Sequence, residues 1–227
     1  MQLVIIGYGK FGQLAAKRLR EAFPAEKIIV VENDVFKLSA AHRSGNLHML
    51  CGNGVEYLVE TRDDLLNSES WIIPTVPLHL LANVALRLSA DLRQTRLPQL
   101  LDALLPNTYR LDDSTLCCSY ADFVCPDDCE EGPACTVTGE QRKPLYVVLQ
   151  ELDVPGIPMH ILVSQQLSPG IGGYRAQDFF RCIDEIPKSS TIIGTSCRCH
   201  AILTAVMRGN KIEPDAILEE EPWKNSP

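Results

Sequence analysis

Leu3-Val4-Ile5-Ile6-Gly7-Tyr8-Gly9-Lys10-Phe11-Gly12 opens the chain, and the architecture can be built from it. An apolar run ending in glycine reads as a strand buried on both faces. Gly7, Gly9 and Gly12 have G-x-G-x-x-G spacing, directly behind that strand and ahead of a helical pattern over residues 10–22. Each glycine has a physical task. Gly7 permits the tight turn, Gly9 leaves the backbone bare for a diphosphate, and Gly12 lets helix and strand pack closely. The helix N-terminus then offers free N–H groups and the positive end of its dipole to the phosphates. Glu32 falls 25 residues after Gly7, at the end of a second apolar strand over residues 28–31. A carboxylate there accepts hydrogen bonds from the adenosine ribose and repels a 2′-phosphate, which favours NAD(H) over NADP(H). Asp34 shares that role or caps the next helix, which is predicted to run to Ser44 with Gly45 as its stop.

Strand and helix keep alternating beyond this unit. Residues 47–51 and 71–73 read as strands and residues 78–92 as a helix. After the cysteine-rich stretch, residues 144–152 read as a helix, 160–164 as a strand, 174–186 as a helix, 191–194 as a strand and 197–208 as a helix. Six strands with helices between them predict an α/β fold, a doubly wound six-stranded parallel Rossmann sheet of order 3-2-1-4-5-6. Residues 107–143 are then a cysteine-rich insertion between the fourth and fifth strands. The expected organisation is one dinucleotide-binding domain over residues 1–208 and a loose acidic tail over 209–227, with a two-domain split near residue 106 as the alternative. Gly170-Ile171-Gly172-Gly173-Tyr174 reads as a second backbone cradle or as a plain turn. Pro74 to Pro77 stand at the switch point of the sheet. His79, which opens the next helix there, reads more readily as a packed or solvent-facing residue than as part of a site.

The chain has 227 residues, 45% hydrophobic and 22% charged, the balance of an ordinary globular protein. A net charge of -8 argues against a nucleic-acid partner, because phosphate-backbone binding needs a basic face. No apolar run approaches the roughly 20 residues that span a bilayer, so the chain is not expected to be membrane-spanning. Met1 leads straight into the first strand with no basic region, so no secretory signal is expected and a cytoplasmic location follows.

Nine cysteines are many for a reducing compartment, where clusters point to metal or redox chemistry rather than to disulfides. Cys125, Cys129 and Cys135 form C-x3-C-x5-C in a loop that needs no hydrogen-bonded ladder and is free to wrap a metal. The fourth ligand must come from elsewhere, and Cys197-Arg198-Cys199-His200 supplies Cys197, Cys199 or His200. At the start of a predicted helix the dipole would favour a thiolate there. Zinc and a [4Fe-4S] cluster both suit such ligands. Cys51 and Cys182 read as small core residues, and Cys117-Cys118 as part of a strand.

The stretch from Leu3 to Gly12, followed by Ile29-Val30-Val31-Glu32-Asn33-Asp34 and Leu50-Cys51-Gly52-Asn53, resembles the NAD-binding domain of Trk-type potassium-uptake regulators, or regulators of potassium conductance. The resemblance covers residues 1–75. It implies a Rossmann fold, binding of NAD(H) or another adenine nucleotide, and regulation of a protein partner, with a homodimer as the companion expectation. It also implies ligand contacts at Gly7, Tyr8, Gly9, Lys10, Phe11, Gly12, Glu32, Asp34 and Asn53. No Ser-His-Asp set, H-E-x-x-H or Walker lysine motif is present in the sequence. The reading is an NAD(H)-binding regulatory or sensor protein with a cysteine-coordinated metal. The alternative is an NAD-dependent oxidoreductase passing electrons through an iron–sulfur cluster.

Overall fold

The computed structural model describes residues 1–39 and 45–209. In chain order the elements are β1 (Gln2–Ile6), α1 (Lys10–Ala22), β2 (Lys27–Glu32), α2 (Val35–Ser39), β3 (Leu47–Cys51), α3 (Gly54–Glu60), α4 (Arg62–Leu66), β4 (Ser70–Pro74), α5 (Leu80–Leu88) and β5 (Leu92–Gln94). They continue with α6 (Leu101–Leu104), β6 (Tyr109–Arg110), β7 (Thr115–Ser119), α7 (Leu145–Glu151), β8 (Met159–Val163), β9 (Gln165–Ser168), β10 (Ile171–Arg175), α8 (Ala176–Asp184), β11 (Thr191–Ser196) and β12 (His200–Arg208). The predicted continuation of the second helix to Ser44 and the predicted tail beyond Gly209 lie outside the described residues.

The fold is α/β, but it is built on two mixed sheets rather than one parallel sheet. The first has the order β3-β2-β1-β4-β10-β9. Its first four strands are parallel, in the 3-2-1-4 arrangement the sequence predicts. The expected fifth and sixth strands are not their neighbours. Instead β10 lies antiparallel beside β4, and β9 antiparallel beside β10. The strands read as fifth and sixth, β8 and β11, pair in parallel with each other in a second sheet of order β6-β7-β12-β11-β8. The stretch read as a cradle or turn is therefore strand β10. The absence of side chains lets it approach β4, since a Cβ on Gly173 would stand 3.0 Å from the Ile72 carbonyl oxygen.

A second correction concerns residues 197–208, predicted as a helix and found as a turn leading into β12. Strand β12 pairs with β11 on one edge and with β7 and β5 on the other. Ala201, Leu203 and Ala205 belong to one buried cluster and Val206 to another. Both faces of this strand are covered, so its apolar run lacks the alternation that marks a half-exposed strand and fits a helix equally well.

Layering follows from which faces are apolar. Ala15, Ala16 and Leu19 of α1 cover Leu3, Ile5, Ile28 and Val30 on one side of the first sheet. Helices α5 and α8 are sandwiched between the sheets, with Val4, Ile72, Ile193 and Val206 in the same cluster as Leu81, Val84 and Phe179. Phe179 and Phe180 are fully buried, and their rings meet edge to face at 5.4 Å. Each such side chain contributes about 1.5–3 kcal/mol relative to exposure. Helices α6 and α7 close the far side of the second sheet through Leu101, Leu145 and Leu149. Part of the predicted insertion, β6 and β7, belongs to that sheet. The cysteine-bearing remainder is an irregular loop, held by Arg142, which donates to the Tyr120 carbonyl at 2.7 Å and lies over the Tyr120 ring.

Candidate functional site

The glycine turn has the shape its spacing predicts. Gly7 has φ +100°, and a Cβ there would stand 2.8 Å from Val76 Cγ1. A Cβ on Gly12 would fall 2.2 Å from the Gly7 carbonyl oxygen, so α1 packs on the turn with no room to spare. Gly9 differs: its Cβ would meet nothing within 4 Å. Thr75 pins the turn by donating from Oγ1 to the Ile6 and Gly7 carbonyls at 2.9 and 3.0 Å. The first-turn amides of Lys10, Phe11 and Gly12 have no hydrogen-bond partner among the described residues.

Glu32 faces this turn. Only 6% exposed, it accepts the Tyr8 N–H at 2.6 Å and the Asp34 N–H at 3.0 Å. Asp34 caps α2, accepting from the Phe36 and Lys37 amides, and Lys37 Nζ lies 3.9 Å from Glu32 and 3.8 Å from Asp34. The side-chain oxygen of Asn53 caps α3, accepting from Val55 N at 2.8 Å and Glu56 N at 3.3 Å. Glu32, Gly7 and Asn53 line a cleft of about 450 Å³.

The predicted metal ligands gather elsewhere, in a chamber of about 790 Å³ between the two sheets. Cys125, Cys129, Cys135, Cys197, Cys199 and His200 all line it, together with Phe11 and Pro74 from the first sheet's side. All nine cysteines are free thiols. His200 lies between two of them, with Nε2 3.8 Å from Cys125 Sγ and Nδ1 3.6 Å from Cys197 Sγ. The Cys199 amide donates to Cys197 Sγ at 3.4 Å. Burial pushes the Cys197 thiol up to about 12, with the Glu131 charge adding to it. Burial also raises Cys199, and the charges of Glu131, Cys129, Cys135 and Cys125 act in the same direction. Cys135 goes the other way, lowered by hydrogen bonds from Thr138 and the Val137 amide. Among the described residues, no three His, Cys, Asp or Glu groups converge as ligands of one ion. The expected helix dipole behind Cys197 is absent, because β12 starts there.

The two regions are joined by contacts that no sequence pattern marks. Asp127, between Cys125 and Cys129, accepts from Lys10 Nζ at 2.9 Å, at the opening of α1. Arg18 Nη1 donates to the Asp127 and Pro169 carbonyls at 2.5 and 2.6 Å. The Cys129 carbonyl accepts from the Gly170 amide at 2.8 Å and from Gln166 Nε2 at 2.9 Å. A Cβ on Gly170 would lie 2.0 Å from the Asp127 carbonyl oxygen, so this contact requires a glycine. A third cleft, of about 360 Å³, links the other two. It shares Val76, Leu78 and Leu80 with the Glu32 cleft, and Pro74, Cys117 and Tyr174 with the cysteine chamber. The three clefts thus adjoin one another in a row from Glu32, past the end of β4, to the cysteines.

A glycine turn on a parallel 3-2-1-4 sheet, with its carboxylate in place, defines a Rossmann-type lobe, and residues 3–62 match the model of the TrkA-N domain. Residues 71–209 match the AF_1314_C family, described as "Uncharacterized protein, C-terminal domain", and the chain belongs to that family. An "Uncharacterized protein" of Archaeoglobus fulgidus is 27% identical over 221 residues, covering 90% of this chain and 99% of its own. No solved structure matches the chain. No described helix is long and apolar enough to cross a membrane.

Proposed function

We propose that this chain is an NAD(H)-binding regulatory or sensor protein whose cysteine chamber holds a metal centre. The supporting observation is the row of adjoining clefts from the Glu32-gripped glycine turn to the cysteines. The residues fit the dinucleotide. Gly9 leaves open space where any side chain would intrude, and the unpartnered amides after it suit a diphosphate. In this reading the backbone from Gly7 to Gly12 holds the diphosphate, with Tyr8, Lys10 and Phe11 flanking it. Glu32 takes the ribose hydroxyls, and the Asn53 amide hydrogens reach the adenosine end. Asp34 supports the Glu32 loop. Residues 1–208 act as one unit, with 107–143 carrying the cysteines, in a reducing cytoplasm. A protein partner or second copy receives the signal.

For the metal, Cys125, Cys129, Cys135 and Cys199 lie within one another's electrostatic reach. One zinc ion with bonds of about 2.3 Å would draw its thiolates within roughly 4 Å of each other, and no such convergence exists among the described residues. The same four thiols supply the number and kind of ligand that a [4Fe-4S] cluster takes, and the cluster is the centre proposed here. Cys197 then backs the site through His200. When bound, such a cluster supplies one-electron redox chemistry. The oxidoreductase reading draws on the same row of clefts. It also needs an acceptor for the second electron of a hydride, so sensing is the better-supported role.

Two measurements on one anaerobic preparation test this. Calorimetric titration with NADH should give saturable binding that Glu32→Ala weakens by at least tenfold. Metal analysis with a visible spectrum should give iron, sulfide and a brown colour. A colourless zinc protein would replace the cluster assignment, and the absence of any binding at millimolar NADH would refute the dinucleotide reading.

A further inference from the structure

Exposed apolar side chains from three separate stretches of the chain meet at the mouth of the cysteine chamber. Phe11 comes from the start of α1, Tyr109 from the edge strand β6, and Val124 and Val137 from the cysteine loop; all four line the chamber. Val124 is 95% exposed and Tyr109 66%, and Phe11 and Val137 are about half exposed. A single exposed valine is ordinary, whereas apolar groups gathered round one opening mark a contact face. The ground around them is acidic. From Asp112 to Glu131 the chain carries seven carboxylates and no lysine or arginine. Asp127 is held by Lys10, but Asp122, Asp128 and Glu130 are exposed and form no ion pair among the described residues.

An apolar centre inside an acidic rim selects its occupant by charge. Nucleic acid or an anionic membrane would meet like charge there. So would a second copy placed mouth to mouth, and so would the chain's own residues 210–227, which carry five carboxylates against two lysines. We propose that the chamber mouth is the docking face for a different protein, one that presents an apolar centre ringed by lysine or arginine. Val124 anchors the contact, and Asp122, Asp128 and Glu130 steer the partner and fix its orientation. The thiols line the chamber behind this face, so a seated partner covers them. The proposal rests on the regulatory reading above, for which it supplies the partner; docking itself needs neither the nucleotide nor the metal.

Cytochrome c, a basic protein with an exposed haem edge, serves as the probe in calorimetric titration of the full chain. Binding is expected at low salt. Affinity should fall by about tenfold or more between roughly 0.01 and 0.15 M ionic strength, as the Debye length shrinks from about 30 to 8 Å. Val124→Ser should weaken binding by about fivefold, and Asp122→Asn with Asp128→Asn by about two- to fivefold at low salt. Two controls lie on other elements, Phe36→Ser on α2 and Asp63→Asn with Asp64→Asn on α4, and should leave binding unchanged. No binding at low salt overturns the proposal. Equal weakening by the controls also overturns it, since that is diffuse attraction between opposite net charges. Sedimentation equilibrium of the chain alone and flotation with phosphatidylglycerol vesicles cover the rival occupants. Self-association or vesicle binding that Val124→Ser abolishes overturns the assignment to a basic partner. NADH titration of the same variants separates the two readings: intact NADH binding beside failed docking overturns this proposal alone, and the reverse overturns the nucleotide reading alone.

Discussion

Gly9 and Gly12 are indistinguishable as letters in a motif, yet their surroundings predict opposite outcomes for the same substitution. Gly12→Ala forces a methyl against the Gly7 carbonyl and should destabilise the fold by about 1–3 kcal/mol, seen as a lowered urea midpoint. Gly9→Ala meets open space and should leave stability within about 0.5 kcal/mol while abolishing NADH titration. His79 supports a pH prediction. Its pKa falls from the ordinary 6.5 to about 3 on folding because burial disfavours the cation. Between those values the unfolded chain binds a proton that the folded chain does not. Stability is therefore full above about pH 6.5 and declines as the pH drops through that window. From pH 7.5 to pH 5 the loss from this residue should be about 2 kcal/mol, and His79→Phe should remove it from denaturation curves measured at the two pH values. Tyr174 and Cys117, which line the third cleft with His79, are raised by burial and stay neutral there; Asp112, reached from His79 through Thr204, Thr115 and Ser114, is lowered by its Ser114 hydrogen bond. Glu32 was legible in the sequence because its partner is a local strand–turn unit. The burial of His79 was not, since its partner Thr204 lies 125 residues away.

The elements divide along a similar line. The four parallel strands and α1 could be read because each is a local pattern closed by glycine or proline. Strand β12 could not, because Ile202, Thr204 and Val206 alternate with Ala201, Leu203 and Ala205, and both sets meet protein. Strand β10 was hidden by glycines, which sequence patterns assign to turns and packing assigns here to close contact with β4. The cysteine loop makes a prediction of its own. Asp127 occupies Lys10 at the start of α1, where a diphosphate would arrive. Asp127→Asn should tighten ADP-ribose binding by about two- to fivefold in calorimetry, a modest effect because both partners are largely exposed. Cys199→Ser should deplete the metal content per chain, whereas Cys182→Ser, on α8 outside the chamber, should not change it.

At the level of the whole chain, two sheets share a helical layer, and the three clefts adjoin along their junction. A ligand that touches both sheets stabilises the assembly by mass action. At NADH concentrations of about a hundred times Kd the gain is about 2.7 kcal/mol, so thermal melting should shift upward by about 5–10 °C. A melting curve unmoved by saturating NADH would contradict this. The second sheet was beyond sequence reading because its strands come from distant parts of the chain and no local turn joins most of them. The Lys10–Asp127 contact has one more consequence. The loop between Cys125 and Cys129 is tied to the first helix, so whatever fills the phosphate cradle must renegotiate that tie. Thermodynamic reciprocity then makes the effect run both ways. On the proposed reading, loading the thiols changes the hold on the nucleotide by the same factor by which the nucleotide changes the hold on the thiols' guest.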